Sequence, residues 1–217
     1  MPNAGGTGVA RVLLNIWRRV RWPLGIVVAI FVALIIYRIP AVIEQERTAE
    51  TVDRIYAQRL TPEHVDGKHL PPPPDPAQAD ATIEGVDANQ NGIRDDVELA
   101  IFEKYPNSPY TRAAELQYAM ALQMYLTRVF NSETWVAAVQ QTGRGYGCVF
   151  ETGPKVTLSD GDKKIQESLR VIRVRQNEVE KLVLNTDLRE TAHDEINRKY
   201  TTSYGSDSTV DCDVAVQ

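Results

Sequence analysis

The sequence predicts a mostly α-helical protein: an N-terminal transmembrane helix and helical stalk, a proline-rich linker, and a compact helical domain of about four helices. Three observations predict this. Residues 22–37, WPLGIVVAIFVALIIY, carry no charge. Beyond residue 90, apolar side chains recur at gaps of three, four and seven, the period of a helix with one buried face. Strand-like patterning is confined to CVF at 148–150 and STVDCDV at 208–214.

The apolar run comes first. With its flanks it reaches the lower length limit for a spanning helix, about 17 residues, and is taken as 22–39. Trp22 and Tyr37 stand at its ends, where aromatic belts form. Arg18, Arg19 and Arg21 precede it without an intervening acid, whereas Glu44 and Glu46 soon follow it. The positive-inside rule then leaves residues 1–21 as a basic cytoplasmic tail and sends the rest across. A cleaved signal peptide is the rival reading. It needs small residues at −1 and −3 of the cut, and Ile39 stands two places before Ala41. A buried core helix is disfavoured because the run has no polar face. Gly25, Ala29 and Ala33 repeat every four residues, a spacing that lets two spanning helices approach closely. It suggests a homodimer through this helix.

Residues 41–60 alternate charge with Val42, Ala49, Val52, Tyr56 and Leu60, the pattern of an amphipathic stalk after a bend near Pro40. The stalk either packs on the domain or pairs with a copy of itself. Residues 61–80 include four consecutive prolines, Pro71 to Pro74, and read as a semi-rigid linker. The domain then occupies 81–217. Ile93, Val97, Ala100 and Ile101 share a face of a helix ended by Pro106. Ser108 caps the next, with Pro109 in its first position. Apolar residues nearly surround that helix, from Leu116 to Phe130, which predicts the most buried one. A shorter helix over 131–143 is expected to stop at Gly143, with Gly145, Gly147, Gly153 and Pro154 marking an irregular loop. Ser159 and Asp162 suit a capping box. Ile165, Leu169, Ile172, Val179 and Val183 follow as a long amphipathic helix, extended to Tyr200 across a break near Asn185.

Within the domain, residues 87–98 read DANQNGIRDDVE. Calcium takes six to eight oxygens, and a twelve-residue loop supplies them from positions 1, 3, 5, 7, 9 and 12, with glycine at 6 for the turn. Here those are Asp87, Asn89, Asn91, the carbonyl of Ile93, Asp95 (through a water) and Glu98, with Gly92 at the turn. Turn chemistry and the helix dipole account for Asn91-Gly92 and for Asp95, Asp96 and Glu98 without a metal. They do not account for Asp87 and Asn89 at two-residue spacing. The loop resembles the calcium loops of EF-hands and of the dockerin and thrombospondin type-3 relatives. The string also resembles one in uncharacterised envelope proteins of proteobacteria. The resemblance covers twelve residues and implies a Ca²⁺ cofactor. Two departures accompany it: prolines stand where an incoming helix would be, and position 8, usually apolar so that loops can pair, is Arg94. With no second copy, this is expected to be a solitary structural loop, binding at roughly 10⁻⁵ to 10⁻³ M.

Two cysteines, Cys148 and Cys212, both follow the spanning run. An even count in an oxidising compartment predicts one disulfide, worth about 4 kcal/mol by chain entropy. Their spacing excludes a C-x-x-C redox motif or a zinc ribbon.

The charge pattern bears on function. The formal charge is −5, yet every one of the 29 acids lies at or after Glu44. Five of the 24 basic residues precede it, leaving 19 against 29, a formal −10 beyond residue 40. Such a domain repels nucleic acid. Hydrolase, phosphate-loop and zinc-protease motifs are absent. His64 and His69 fall in the linker, and His193 on a helix face with Glu190, Asp194 and Glu195. The expected protein is a single-pass component of a bacterial inner membrane. Its N-terminus is cytoplasmic, and its periplasmic domain binds an envelope protein partner or acts as a scaffold. A membrane-anchored periplasmic enzyme is the alternative. A calcium-responsive sensor is a third, against which the short N-terminal tail argues. The lack of N-x-[ST] sequons also favours a bacterial envelope.

Overall fold

The computed structural model describes residues 6–205 and 212–214. Among them are eight α-helices, one 3₁₀ turn and no strand, in keeping with the expected mostly helical class. The chain divides at Arg47 into two compact units.

The first unit is the front part of α1 (Gly6–Ala57), the one helix among the described residues long and apolar enough to cross a membrane. None of its apolar window is buried within the chain. The helix continues through Pro23 and Pro40. One helix carries both the apolar run and the stalk residues up to Ala57. A spanning helix tolerates proline where neighbouring groups re-satisfy the freed carbonyl.

The second unit starts at Thr48, so the last turns of α1 belong to it. Thr48 and Ile55 are buried there, Ile55 completely. Residues 61–80 carry a correction. Expected as a spacer, they form α2 (Pro62–Val65) and α3 (Pro76–Ala79), and bury Val65, Pro71 and Ala79. Two arginines hold this stretch by its carbonyls. Arg112 donates to Val65 O at 2.7 Å, to Tyr105 O at 2.8 Å and to Pro106 O at 3.1 Å. Arg189 donates to Ala79 O, Thr82 O and Ile83 O. A stretch poor in backbone donors is thus fixed through its acceptors.

The core is built around α5 (Pro109–Arg128). Every residue from Arg112 to Leu126 is buried, as its apolar circumference predicts. Ser108 caps it by accepting from Thr111 N. Next to it runs α6 (Ser132–Glu151), capped by Asn131. The expected end of α6 at Gly143 is wrong. The helix runs on through Gly145, Gly147 and the supposed strand 148–150. The reason is close packing: a Cβ at Gly145 would stand 2.8 Å from Tyr118 Cα. Gly145 is where α5 and α6 nearly touch, and it reads as a helix breaker only out of that context. Residues 208–211 of the other supposed strand lie outside the described residues, and 213–214 form a bend.

Helices α4 (Asp95–Lys104), α7 (Asp162–Val183) and α8 (Asp187–Tyr200) complete the unit. The break expected near Asn185 is real, with Thr186 capping α8. Among the described residues of 81–217 are five helices, α4 to α8. A buried pair, Arg175 Nε to Glu115 Oε1 at 2.7 Å, ties α7 to α5. Burial pushes the Glu115 carboxyl up, while Arg175 opposes this.

Candidate metal centre

Residues 87–98 close into a loop that ends in the first turn of α4. Gln90 and Gly92 take the left-handed conformation, at φ 57° and 85°. Asp87 accepts from the next two amides of the turn: Asn91 N to Oδ1 at 3.1 Å and Gly92 N to Oδ2 at 2.9 Å. Asn91 Oδ1 accepts from Ile93 N at 2.8 Å. Asp95 accepts from Ala88 N, at 3.0 Å and 3.2 Å to its two oxygens. Alternate side chains therefore close the loop upon itself, which explains the strict spacing of Asp87, Asn89 and Asn91.

The far end of the loop is Glu98, only 2 % exposed. Asn89 Nδ2 and Asn91 Nδ2 both donate to its Oε2, at 3.1 Å and 3.0 Å. Positions 3, 5 and 12 thus meet at one oxygen atom. Burial pushes the pKa of the Glu98 carboxyl up, the two amides counteract this, and Asp95 and Asp87 push it further up by repulsion. Asp95 is raised too, first by burial and then by Asp87 and Asp96, with the Ala88 N–H opposing. Asp87 thus disfavours the charge of both Asp95 and Glu98.

A basic residue sits inside this loop without serving it. Arg94, 1 % exposed, turns away to Val183 O at 2.9 Å and Leu182 O at 3.0 Å. It also reaches Asn185 Oδ1 and pairs with Asp96. It caps the C-terminal carbonyls of α7, where a cation is favoured. This explains the unusual residue at position 8: the α7–α8 corner occupies that side of the loop.

The oxygen-bearing groups of the loop are of the type a hard cation takes. They are carboxylates, amide oxygens and the Ile93 carbonyl. For Asn89 and Asn91 to serve, their amides must turn oxygen toward Glu98 in place of nitrogen. Asn91 would then give up its bond from Ile93 N. Among the described residues, no group of three or more His, Cys, Asp or Glu gathers as a metal cluster. The meeting point at Glu98 is made with asparagines. His64 and His69 line a cavity of about 170 Å³ bordered by Asn89, Asn91 and Glu98.

Cys148 and Cys212 are joined as a disulfide across 64 residues of sequence, with Cα atoms 5.1 Å apart. Gly25, Ala29 and Ala33 are exposed on α1, and nothing lies within 4 Å of a Cβ built at Gly25. Two residues beyond the expected set bear on the loop: Arg94 within it, and Gln58, which donates to Asn91 O. Of these, only Arg94 left a sequence signal, as the charged residue at an apolar loop position. No family model, curated protein or solved structure matches the chain.

Proposed function

We propose that the chain is a single-pass protein of a bacterial inner membrane, with residues 1–21 cytoplasmic and the helical unit in the periplasm. The unit is a calcium-stabilised binding or scaffold component of the envelope. Calcium would be held by Asp87, Asn89, Asn91, the Ile93 carbonyl and Glu98, with Asp95 acting through a water.

The observation that carries this reading is the burial of Glu98 and Asp95 beside Asp87, with only amide hydrogen bonds to hold them. A cation would relieve both their desolvation and their mutual repulsion. The cavity by His64 and His69 reaches Glu98 and offers an ion its route. A structural role is favoured over a catalytic one by where the displaced acidities fall. Glu115 is tied to Arg175, and Tyr118 donates to Glu180 at 2.6 Å, so each joins helices together.

The test is thermal unfolding of the full chain in detergent, in chelator and in millimolar calcium. Native-state binding raises stability by about 2.7 kcal/mol at a hundredfold excess over Kd. Asp87→Ala should abolish the rise, and identical melting of the parent chain under both conditions refutes the calcium reading. Sidedness is tested by a reporter fused after Gln217. Activity in the cytosol refutes the periplasmic assignment.

A further inference from the structure

Residues 58–60 follow α1 directly, and besides the bond from Arg59 to Gln141 Oε1 of α6 at 2.7 Å, two elements matter here. One is the loop: Gln58 Nε2 donates to Asn91 O at 3.2 Å. It presses so closely on Gly92 that a Cβ there would lie 1.8 Å from it. Arg128 fixes the same amide by donating to Gln58 Oε1. The other is the C-terminal tail: Leu60 N donates to Asp213 Oδ2 at 2.9 Å. Arg59 and Arg144 lie at 3.6 Å and 2.7 Å from Asp213 Oδ1, and the Asp213 side chain is only 2 % exposed. Asp213 N donates to Gln117 Oε1 at 2.8 Å, and its neighbour Cys212 is bonded to α6.

We infer that residues 58–60 are a latch through which the redox state of Cys148–Cys212 reaches loop 87–98. A dithiol reductant supplies two electrons and two protons to the disulfide; two protein thiols form and the reductant closes to its own disulfide. Among the described residues, the tail then keeps the polar bonds of Asp213 and the packing of Cys212 and Val214 against the core. As Asp213 leaves, Leu60 N loses its acceptor. Arg59 and Arg144, which already repel each other, lose their shared counter-charge. Residues 58–60 loosen, and Gln58 withdraws from Asn91 and Gly92. The loop then opens more often. The latch stands on these hydrogen bonds alone, while a consequent loss of calcium affinity rests on the calcium reading above. By reciprocity, anything that tightens the loop would make the disulfide harder to reduce.

The test is hydrogen exchange on the full chain in detergent, oxidised and after dithiothreitol, in chelator. Rates at Leu60 and at Asn91–Ile93 are read relative to the amides of α8. Reduction should speed both sets by about tenfold relative to α8, as for a local opening. Asp213→Ala, left oxidised, should do the same. In Gln58→Ala, reduction should still speed Leu60 but no longer change the loop. Loop rates that track α8 on reduction of the parent chain overturn the latch. So does a loop that still responds in Gln58→Ala. Repeating the oxidised sample with millimolar calcium separates the two ideas. No slowing of the loop there counts against calcium, and the latch is still judged by the chelator arm.

Discussion

Gly143 and Gly145 stand two residues apart in α6, yet replacing each with alanine should move stability in opposite directions. A helical glycine costs about 0.8–1 kcal/mol relative to alanine, so each substitution begins with that gain. At exposed Gly143 nothing lies within 4 Å of the new methyl, and the gain stands. At buried Gly145 the methyl would sit 2.8 Å from Tyr118 Cα, and 3.2 Å from both Tyr118 N and Cδ2. Carbon atoms prefer roughly 3.5–4.0 Å, so α5 and α6 must separate by most of an ångström. Two of these contacts are to backbone, which cannot swing aside as a side-chain tip can. Cys148, bonded to Cys212 less than one turn away, also resists the shift. Overpacking costs about 1–3 kcal/mol, and backbone contacts this short place Gly145 in the upper part of that range, at about 2–3 kcal/mol, leaving a net loss of roughly 1–2 kcal/mol. Thermal unfolding of the oxidised chain, followed by circular dichroism, should place Gly143→Ala about 2–4 °C above the parent and Gly145→Ala about 2–6 °C below it. If Gly145→Ala matches or exceeds the parent, the close α5–α6 approach is not there, and the continuation of α6 past Gly143 loses its explanation.

Glu98→Gln should stabilise the metal-free chain at neutral pH and lose most of the calcium-dependent rise, so melting curves in chelator and in calcium should cross in sign relative to the parent. Because the folded Glu98 and Asp95 are raised above their unfolded values, the folded chain binds protons more tightly. Their contribution in chelator therefore grows as pH falls through the folded values, and is complete below the unfolded ones. With calcium the trend should reverse, since protons compete with the ion; a pH series of melts under both conditions reads this directly, and parallel trends would contradict it. Arg94→Leu leaves Val183 O and Leu182 O without their donor and should cost roughly 3 kcal/mol in urea unfolding; a loss under half a kcal/mol would show the α7 cap to be idle. Reducing Cys148–Cys212 should lower stability by about 4 kcal/mol on the chain-entropy account, which a denaturant midpoint with and without dithiothreitol measures.

What the sequence by itself determined was local chemistry and periodicity. The uncharged run, the circumferential apolar pattern of α5, the Ser108 cap and the oxygen spacing of residues 87–98 all depend on neighbours within a few positions. Their consequences could be read without knowing what packs on what. Only the tertiary structure decided the rest. Gly145 reads as a helix breaker until Tyr118 is placed against it, and Pro71 reads as a spacer until Arg112 and Arg189 are seen holding the flanking carbonyls. Arg94's carbonyl acceptors are not evident in sequence because they lie 88 and 89 residues away. Asp213 reaches Leu60 over a separation of 153. A hydrogen bond between distant positions leaves no period in the chain, because its geometry exists only once the helices have packed and their leftover donors and acceptors must be satisfied.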